Sequence, residues 1–301
     1  MRKAIDIIDN ARIIGFDASD GLMLYGMIRE PRKRKKSAIL HIHGLQGNFY
    51  GSNSISEIAK EANKKGIAFM SIQTRGSYIV EDFSYKNSKQ ELLAGAALEK
   101  FEDSVYDIEG GINALIYMGY RQIFVEGHST GCQKVLYYLK SKSYQKRKKN
   151  IAGIALLGPV DDYNYDRLNL GTTKFEKMKR LARKISGKTL FMPIGPNATG
   201  NNVIGIDRFL STASEGKPEA EALNYRGDLK YIKSIGIPML AVFGSNDEYM
   251  IDTKPKRALE LIKEKYSGKL LETHMVKGTG HTFRGKREEL AKVLVRFYSK
   301  L

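Results

Sequence analysis

Residues 122–136 run Gln-Ile-Phe-Val-Glu-Gly-His-Ser-Thr-Gly-Cys-Gln-Lys-Val-Leu. A short β-rich stretch enters a G-x-S-x-G pentapeptide and leaves it with apolar residues at helical spacing. This order calls for a strand, a tight turn and a helix, with the serine at the turn. Such a turn lifts the Ser129 hydroxyl clear of the backbone. Gly127 and Gly131 leave room, because a Cβ at either position would meet the neighbouring strand or helix. The N–H of Thr130 then lies at the start of the helix, where the dipole favours a developing oxyanion. His128 occupies the variable place inside the elbow. A bare G-x-S-x-G also arises by chance, so its meaning rests on its company.

That company is a strand–helix alternation along most of the chain. Residues 11–15 and 22–28 predict two strands joined at Asp17-Ala18-Ser19-Asp20-Gly21. A third strand, Ser37 to Ile42, is apolar enough to be buried on both faces and ends in His43-Gly44-Leu45-Gln46-Gly47-Asn48. Paired with the elbow, that H-G turn makes the N–H of Leu45 a candidate second oxyanion donor. Residues 54–64 predict a helix and 66–72 the fourth strand, followed by Thr74-Arg75-Gly76-Ser77. The expected role of Arg75 is to tie loops together. Residues 82–97 read as a polar loop without assignment. Phe101, Val105, Ile108, Ile112, Leu115 and Ile116 recur at helical spacing, with Glu102, Asp103 and Asp107 expected on solvated or capping faces.

After the elbow, residues 151–157 predict strand six. The alternation then breaks over residues 161–237, which hold helical pieces, Gly/Pro/Asn turns at 195–197 and 200–202, and no convincing buried strand. Phe175, Met178, Leu181, Ala182 and Ile185 form an apolar stripe between lysines and arginines. The preferred reading packs this stripe over the mouth of an active site. The sheet resumes with residues 238–243 as strand seven and 270–276 as the last strand, and a final helix carries Leu290, Val293, Leu294 and Phe297. The expected organisation is a core from 1–160 and 238–301 with an inserted, mainly helical lid at 161–237.

The 301 residues are 42% apolar, enough for one sizeable core. No apolar run reaches membrane-spanning length, and the amino end does not read as a signal peptide. Cys132 is the single cysteine, which excludes internal disulfides and makes a reducing cytoplasm the simplest home. It is expected to pack under the turn without a chemical role. Lysine and arginine number 50 against 33 acids, a net charge of +17. An anionic partner is one reading of that charge. The preferred one is a solvated basic surface, since residues 32–36 and 146–149 fall in expected connections and no aromatic-interleaved basic motif accompanies them. Nucleic acid is therefore not the expected partner. The sequence gives no oligomeric state.

Ser129, Asp247 and His281 appear in chain order, each at the end of a predicted strand and so on one edge of a parallel sheet. In this order the histidine would take the serine's proton and the acid would orient the imidazole. Glu248, Asp252, Asp161 and Asp162 are rivals for the acid and His274 is a weaker rival for the base. His41 and His128 are read as packing residues.

The set H-G-L-Q-G-N at 43–48, R-G at 75–76, G-H-S-T-G at 127–131, G-S-N-D at 244–247 and G-T-G-H at 278–281 resembles the α/β-hydrolase superfamily. Within it, His41-Ile42-His43-Gly44 with Gly47-Asn48-Phe49-Tyr50, Phe101-Glu102-Asp103 with Tyr106-Asp107-Ile108, and the elbow Gly-His-Ser-Thr-Gly-Cys-Gln look like a largely uncharacterised group related to fungal siderophore esterases. The resemblance implies a mostly parallel eight-stranded sheet flanked by helices. It also implies serine-dependent hydrolysis of small carboxylic esters, with thioesters or amides as alternatives and no metal or cofactor. A non-catalytic binding protein on the same scaffold is the reading from another class.

Overall fold

The computed structural model describes residues 11–33, 36–187, 191–193 and 203–301. The turns expected at 195–197 and 200–202, the amino-terminal residues 1–9 and positions 34–35 of the basic run lie outside these. Eight strands form one sheet: β1 (Ala11–Asp17), β2 (Met23–Arg29), β3 (Ser37–Ile42), β4 (Ala68–Ile72), β5 (Gln122–His128), β6 (Ile151–Leu157), β7 (Met239–Gly244) and β8 (Leu271–Val276). Their order is β1-β2-β4-β3-β5-β6-β7-β8. β1 pairs with β2, and β2 with β4, antiparallel; every later pairing is parallel. This is the α/β-hydrolase fold.

The parallel strands are covered on both faces, so apolar side chains fill both sides of each. Ala38, Leu40 and Ile42 of β3 enter one core while Ile39 enters the other. The first core includes the apolar faces of α2 (Ser104–Tyr117) and α3 (Thr130–Tyr138). The second is closed by α1 (Asn53–Lys64) against the last helix, Arg287–Tyr298. Register brings the carboxyl ends of the strands level: Ile42 pairs with Gly127, Gly127 with Leu156, Val242 with Leu157 and Gly244 with Val276. The loops carrying residues 43–48, 129, 158–162, 247 and 281 therefore open on one edge, where open α/β sheets hold ligands.

Three local expectations need correction. Residues 82–97, read as an unassigned polar loop, hold all but the first residue of an antiparallel pair, Glu81–Ser84 with Glu91–Ala94, whose Phe83 and Ala94 pack with Leu22 and Leu24. Asp107 is not a solvated acid: it is fully buried, accepting from the backbone N–H of Arg75 at 2.9 Å and from its guanidinium at 2.9 and 3.0 Å. Arg75 also binds Asp20 at 2.9 Å and so ties loops as expected.

The third correction concerns the segment between β6 and β7, with helices α4 (Asp162–Leu170), α5 (Thr172–Ile185), α6 (Ile206–Ala213) and α7 (Pro218–Ala222). The α5 stripe does not cover the cavity. Phe175 and Ala182 are buried with Tyr163, Ile206, Phe209 and Ala220 of the same segment, and Leu181 is exposed. The core also holds α8 (Pro255–Lys265) and α9 (Arg287–Tyr298). Among the described residues no helix is long and apolar enough to cross a membrane.

Candidate active site

Ser129 stands between β5 and α3 at φ 56°, ψ −127°. Its N–H donates to the carbonyl of Leu157 on β6 at 2.9 Å, and its own carbonyl accepts from the N–H of Cys132 at 2.8 Å. The elbow is thus fixed from both sides. A Cβ on Gly127 would strike the backbone of Gly131, and one on Gly131 the carbonyl of Ile42. Cys132 is buried under the turn, its thiol donating to the carbonyl of Gly127 at 3.0 Å. Burial pushes that thiol well above its ordinary range, which keeps it inert.

Asp247 and His281 come together from the ends of β7 and β8. Nδ1 of His281 lies 2.9 Å from Oδ2 of Asp247, and both side chains are buried. The other carboxylate oxygen of Asp247 accepts from the N–H of Tyr249 at 3.1 Å. With its acceptors so used, Asp247 is aimed at Nδ1, and Nδ1–H is the tautomer that fits. Nε2 of His281 is buried without a hydrogen-bond partner among the described residues. The ring is held edge-on by Tyr249, centroids 4.6 Å apart, and against His128 at 4.8 Å.

The rivals have other partners. Glu248 accepts the backbone N–H of His281 at 2.9 Å, which positions the histidine's loop. Asp252 pairs with Arg226. Asp161 accepts from the N–H of Asn164 at 3.0 Å, capping α4. Asp162 accepts from Nε2 of Gln133 at 2.8 Å, and burial raises its carboxyl above the usual range. His274 lies 3.8 Å from Glu289 and does not line the Ser129 cavity.

A cavity of about 700 Å³ is lined by Ser129, His281, Leu45, Gly44, Asp162 and Tyr249 among others. Gly44 forms the wall against Ser129: a Cβ there would sit 2.7 Å from Cβ of Ser129. Among the described residues the N–H groups of Leu45 and Thr130 have no hydrogen-bond acceptor. That leaves both free for an oxyanion.

The Gly44 turn is set by His43, whose Nδ1–H donates to the carbonyl of Gly44 at 2.7 Å while Nε2 accepts from the hydroxyl of Ser77 at 2.8 Å. Burial, reinforced by Lys134, pushes the His43 imidazole down to about 3, so it stays neutral. His128 is also pushed down to about 3, by burial and then by His281, and bonds the carbonyl of His281 through Nε2 at 3.1 Å. Among the described residues no group of three or more His, Cys, Asp or Glu side chains is arranged to hold a metal ion.

Sequence reasoning missed three features of the site. The His43 lock depends on Ser77 and Thr74, more than thirty residues away, and leaves no local signal. His41 was read as packing, and it does bond Glu126 at 2.8 Å, yet it also lines the cavity. Arg284 and Arg287 line it too; their nearness to His281 in the chain was the available clue.

Among solved structures the chain is similar to the siderophore hydrolase EstB from Aspergillus fumigatus, at 15% identity and TM-score 0.72, over 97% of this chain and 98% of that one. It is similar to Est1E from Butyrivibrio proteoclasticus, solved with ferulic acid bound, at 15% identity and TM-score 0.61, over 95% and 98%. A monoacylglycerol lipase from Paleococcus ferrophilus matches at 17% identity and TM-score 0.61, over 92% and 98%. At these identities the likeness is one of fold. No curated protein sequence matches. A family model described as "Protein of unknown function (DUF1749)" matches residues 20–298, nearly the whole chain, and the protein belongs to that family.

Proposed function

We propose that the protein is a serine hydrolase acting on carboxylic esters of small molecules. The observation that carries this reading is the 2.9 Å bond from Nδ1 of His281 to buried Asp247 beside the cavity that Ser129 lines. Nε2 of His281 takes the proton of Ser129 as the hydroxyl attacks the ester carbonyl, while Asp247 stabilises the imidazolium. The N–H groups of Leu45 and Thr130 hold the tetrahedral oxyanion, Thr130 from the amino end of α3. His281 returns the proton to the leaving alcohol, and water releases the acyl group by the same route.

The same triad serves thioesters and amides, so the ester preference rests on the sequence resemblance and on the esterases and lipases that share the fold. The segment 161–237 is read as a lid between core parts 1–160 and 238–301. It serves less as a cover for the cavity than as a support for its floor through α4 and Asp162.

Labelling with a fluorophosphonate tests the proposal. Modification at Ser129, absent in Ser129→Ala, is the expected result, together with a loss of turnover on the order of 10⁶-fold. A folded protein that neither labels nor hydrolyses any ester would leave the non-catalytic binding reading in its place.

A further inference from the structure

One part of the cavity wall carries charge that the triad does not use. Arg284, in the turn after β8, and Arg287, the first residue of α9, line the cavity with Ser129 and His281. Arg75 and Arg208, the arginines buried in the fold, are matched by acids, Arg75 by Asp107 and Asp20 and Arg208 by Glu219 and Glu99, whereas Arg284 is exposed and Arg287 is partly exposed. Among the described residues neither Arg284 nor Arg287 has a carboxylate in ion-pair range, and Nε of Arg287 is buried with no hydrogen-bond partner. Glu57, the acid whose field reaches Arg287, is engaged with Lys60 at 3.3 Å. Both guanidiniums are open to a ligand in the cavity, and an acceptor on that ligand would also satisfy the Arg287 Nε.

The neighbouring wall has the same polarity. Gly51, Ser52 and Ser54, at the amino end of α1, also line the cavity, and the first turn of α1 holds no acid, so its dipole favours an anion. Asp162, the carboxylate among the cavity-lining residues, is taken up by Gln133 and Thr130 at the nucleophile helix.

We infer that the ester hydrolysed here bears an anionic group, a carboxylate or phosphate, which Arg284 and Arg287 bind while the ester carbonyl lies at Ser129. The inference rests on the proposed hydrolase reading and adds the substrate class. A guanidinium matches either oxyanion with two parallel N–H donors, which a lysine cannot do.

The test compares p-nitrophenyl hemiglutarate with neutral p-nitrophenyl butyrate in the wild type and in Arg284→Gln/Arg287→Gln. The wild type is expected to prefer the anionic ester. The double variant should lower the anionic-over-neutral ratio of kcat/KM by about 10- to 100-fold, the range for a charge-assisted contact, with KM changing more than kcat. Arg287→Lys should recover part of the ratio. An unchanged ratio overturns the inference.

A binding arm separates this from failure of the hydrolase reading. Monomethyl glutarate should bind Ser129→Ala more tightly than dimethyl glutarate, and the two arginine changes should abolish the difference. If no ester is turned over yet that difference is found, the anion site stands and the hydrolase falls. Equal binding of the two esters overturns the site. Methyl phosphate in place of the glutarates tells carboxylate from phosphate.

Discussion

Ser129 holds a positive φ that a residue with a Cβ adopts only at a cost of order 1–3 kcal/mol. The surrounding bonds over-determine it: the Leu157 carbonyl, the Cys132 N–H and three glycines that would otherwise clash. Gly44 is the most telling of these, because it lies between the 43–48 turn and Ser129. Gly44→Ala would place a methyl 2.7 Å from Cβ of Ser129 and 3.0 Å from the carbonyl of His128. The turn has to shift, carrying the Leu45 N–H with it. The expected loss in kcat is about 10²- to 10³-fold, the scale of one oxyanion donor, with the circular dichroism spectrum unchanged. A folded variant with wild-type kcat would remove Leu45 from the mechanism. Asp247→Asn tests the other side of the site. It keeps the shape but favours the wrong imidazole tautomer, for an expected loss of about 10⁴-fold in kcat. Wild-type turnover by Asp247→Asn would hand the acid's role to another group.

At the scale of elements, the segment between β6 and β7 is joined to the core by buried charge. Lys134 on α3 donates to Glu99 at 2.6 Å, and Arg208 on α6 lies between Glu99 and Glu219 of α7. All four side chains are buried. Burial would raise Glu99, but Lys134 and Arg208 outweigh it and hold the carboxyl below its ordinary range. Glu219 is pushed up to about 7, burial exceeding the pull of Arg208. Removing one member strands the others. Arg208→Met is expected to cost about 3–5 kcal/mol in urea unfolding, and adding Glu219→Gln should return part of it. A single-variant loss under 1 kcal/mol would mean that the network does not bear on stability. The sequence announced the helices here but not their partners. The α5 stripe says that one face is covered, and periodicity cannot say by what. Lys179, one of the lysines flanking the stripe, has a buried stem, with Nζ over the Phe175 ring at 5.5 Å and 2.8 Å from Glu176. The strands were easier to read, because burial on both faces writes continuous apolar runs such as Met239 to Phe243.

Across the whole molecule, the chain order of Ser129, Asp247 and His281 was legible because a parallel sheet sends every strand end to one edge, so motif and topology reinforce each other. The polar packing beneath that edge was not, since it joins residues distant in the chain. That packing has a consequence for pH. His43 and His128, near 6.5 in an unfolded chain, are held at about 3 by burial. Between those values the unfolded chain binds protons that the folded protein does not, so their contribution to stability is lost as pH falls from about 6.5 toward 3. At pH 5 each represents about 2 kcal/mol. Asp161 and Glu219, pushed up by burial to about 6 and about 7, act in the opposite sense, because they release protons on unfolding in their window. Comparing two chains rather than two pH values isolates the imidazole. His128→Gln retains a donor for the His281 carbonyl and carries no titrating ring. Its stability relative to the wild type should therefore improve by about 2 kcal/mol between pH 7 and pH 5, read from urea midpoints. A relative stability that does not change with pH would show that His128 takes up its proton in the folded protein. The elbow would then carry a positive charge beside His281, and the base would work against it.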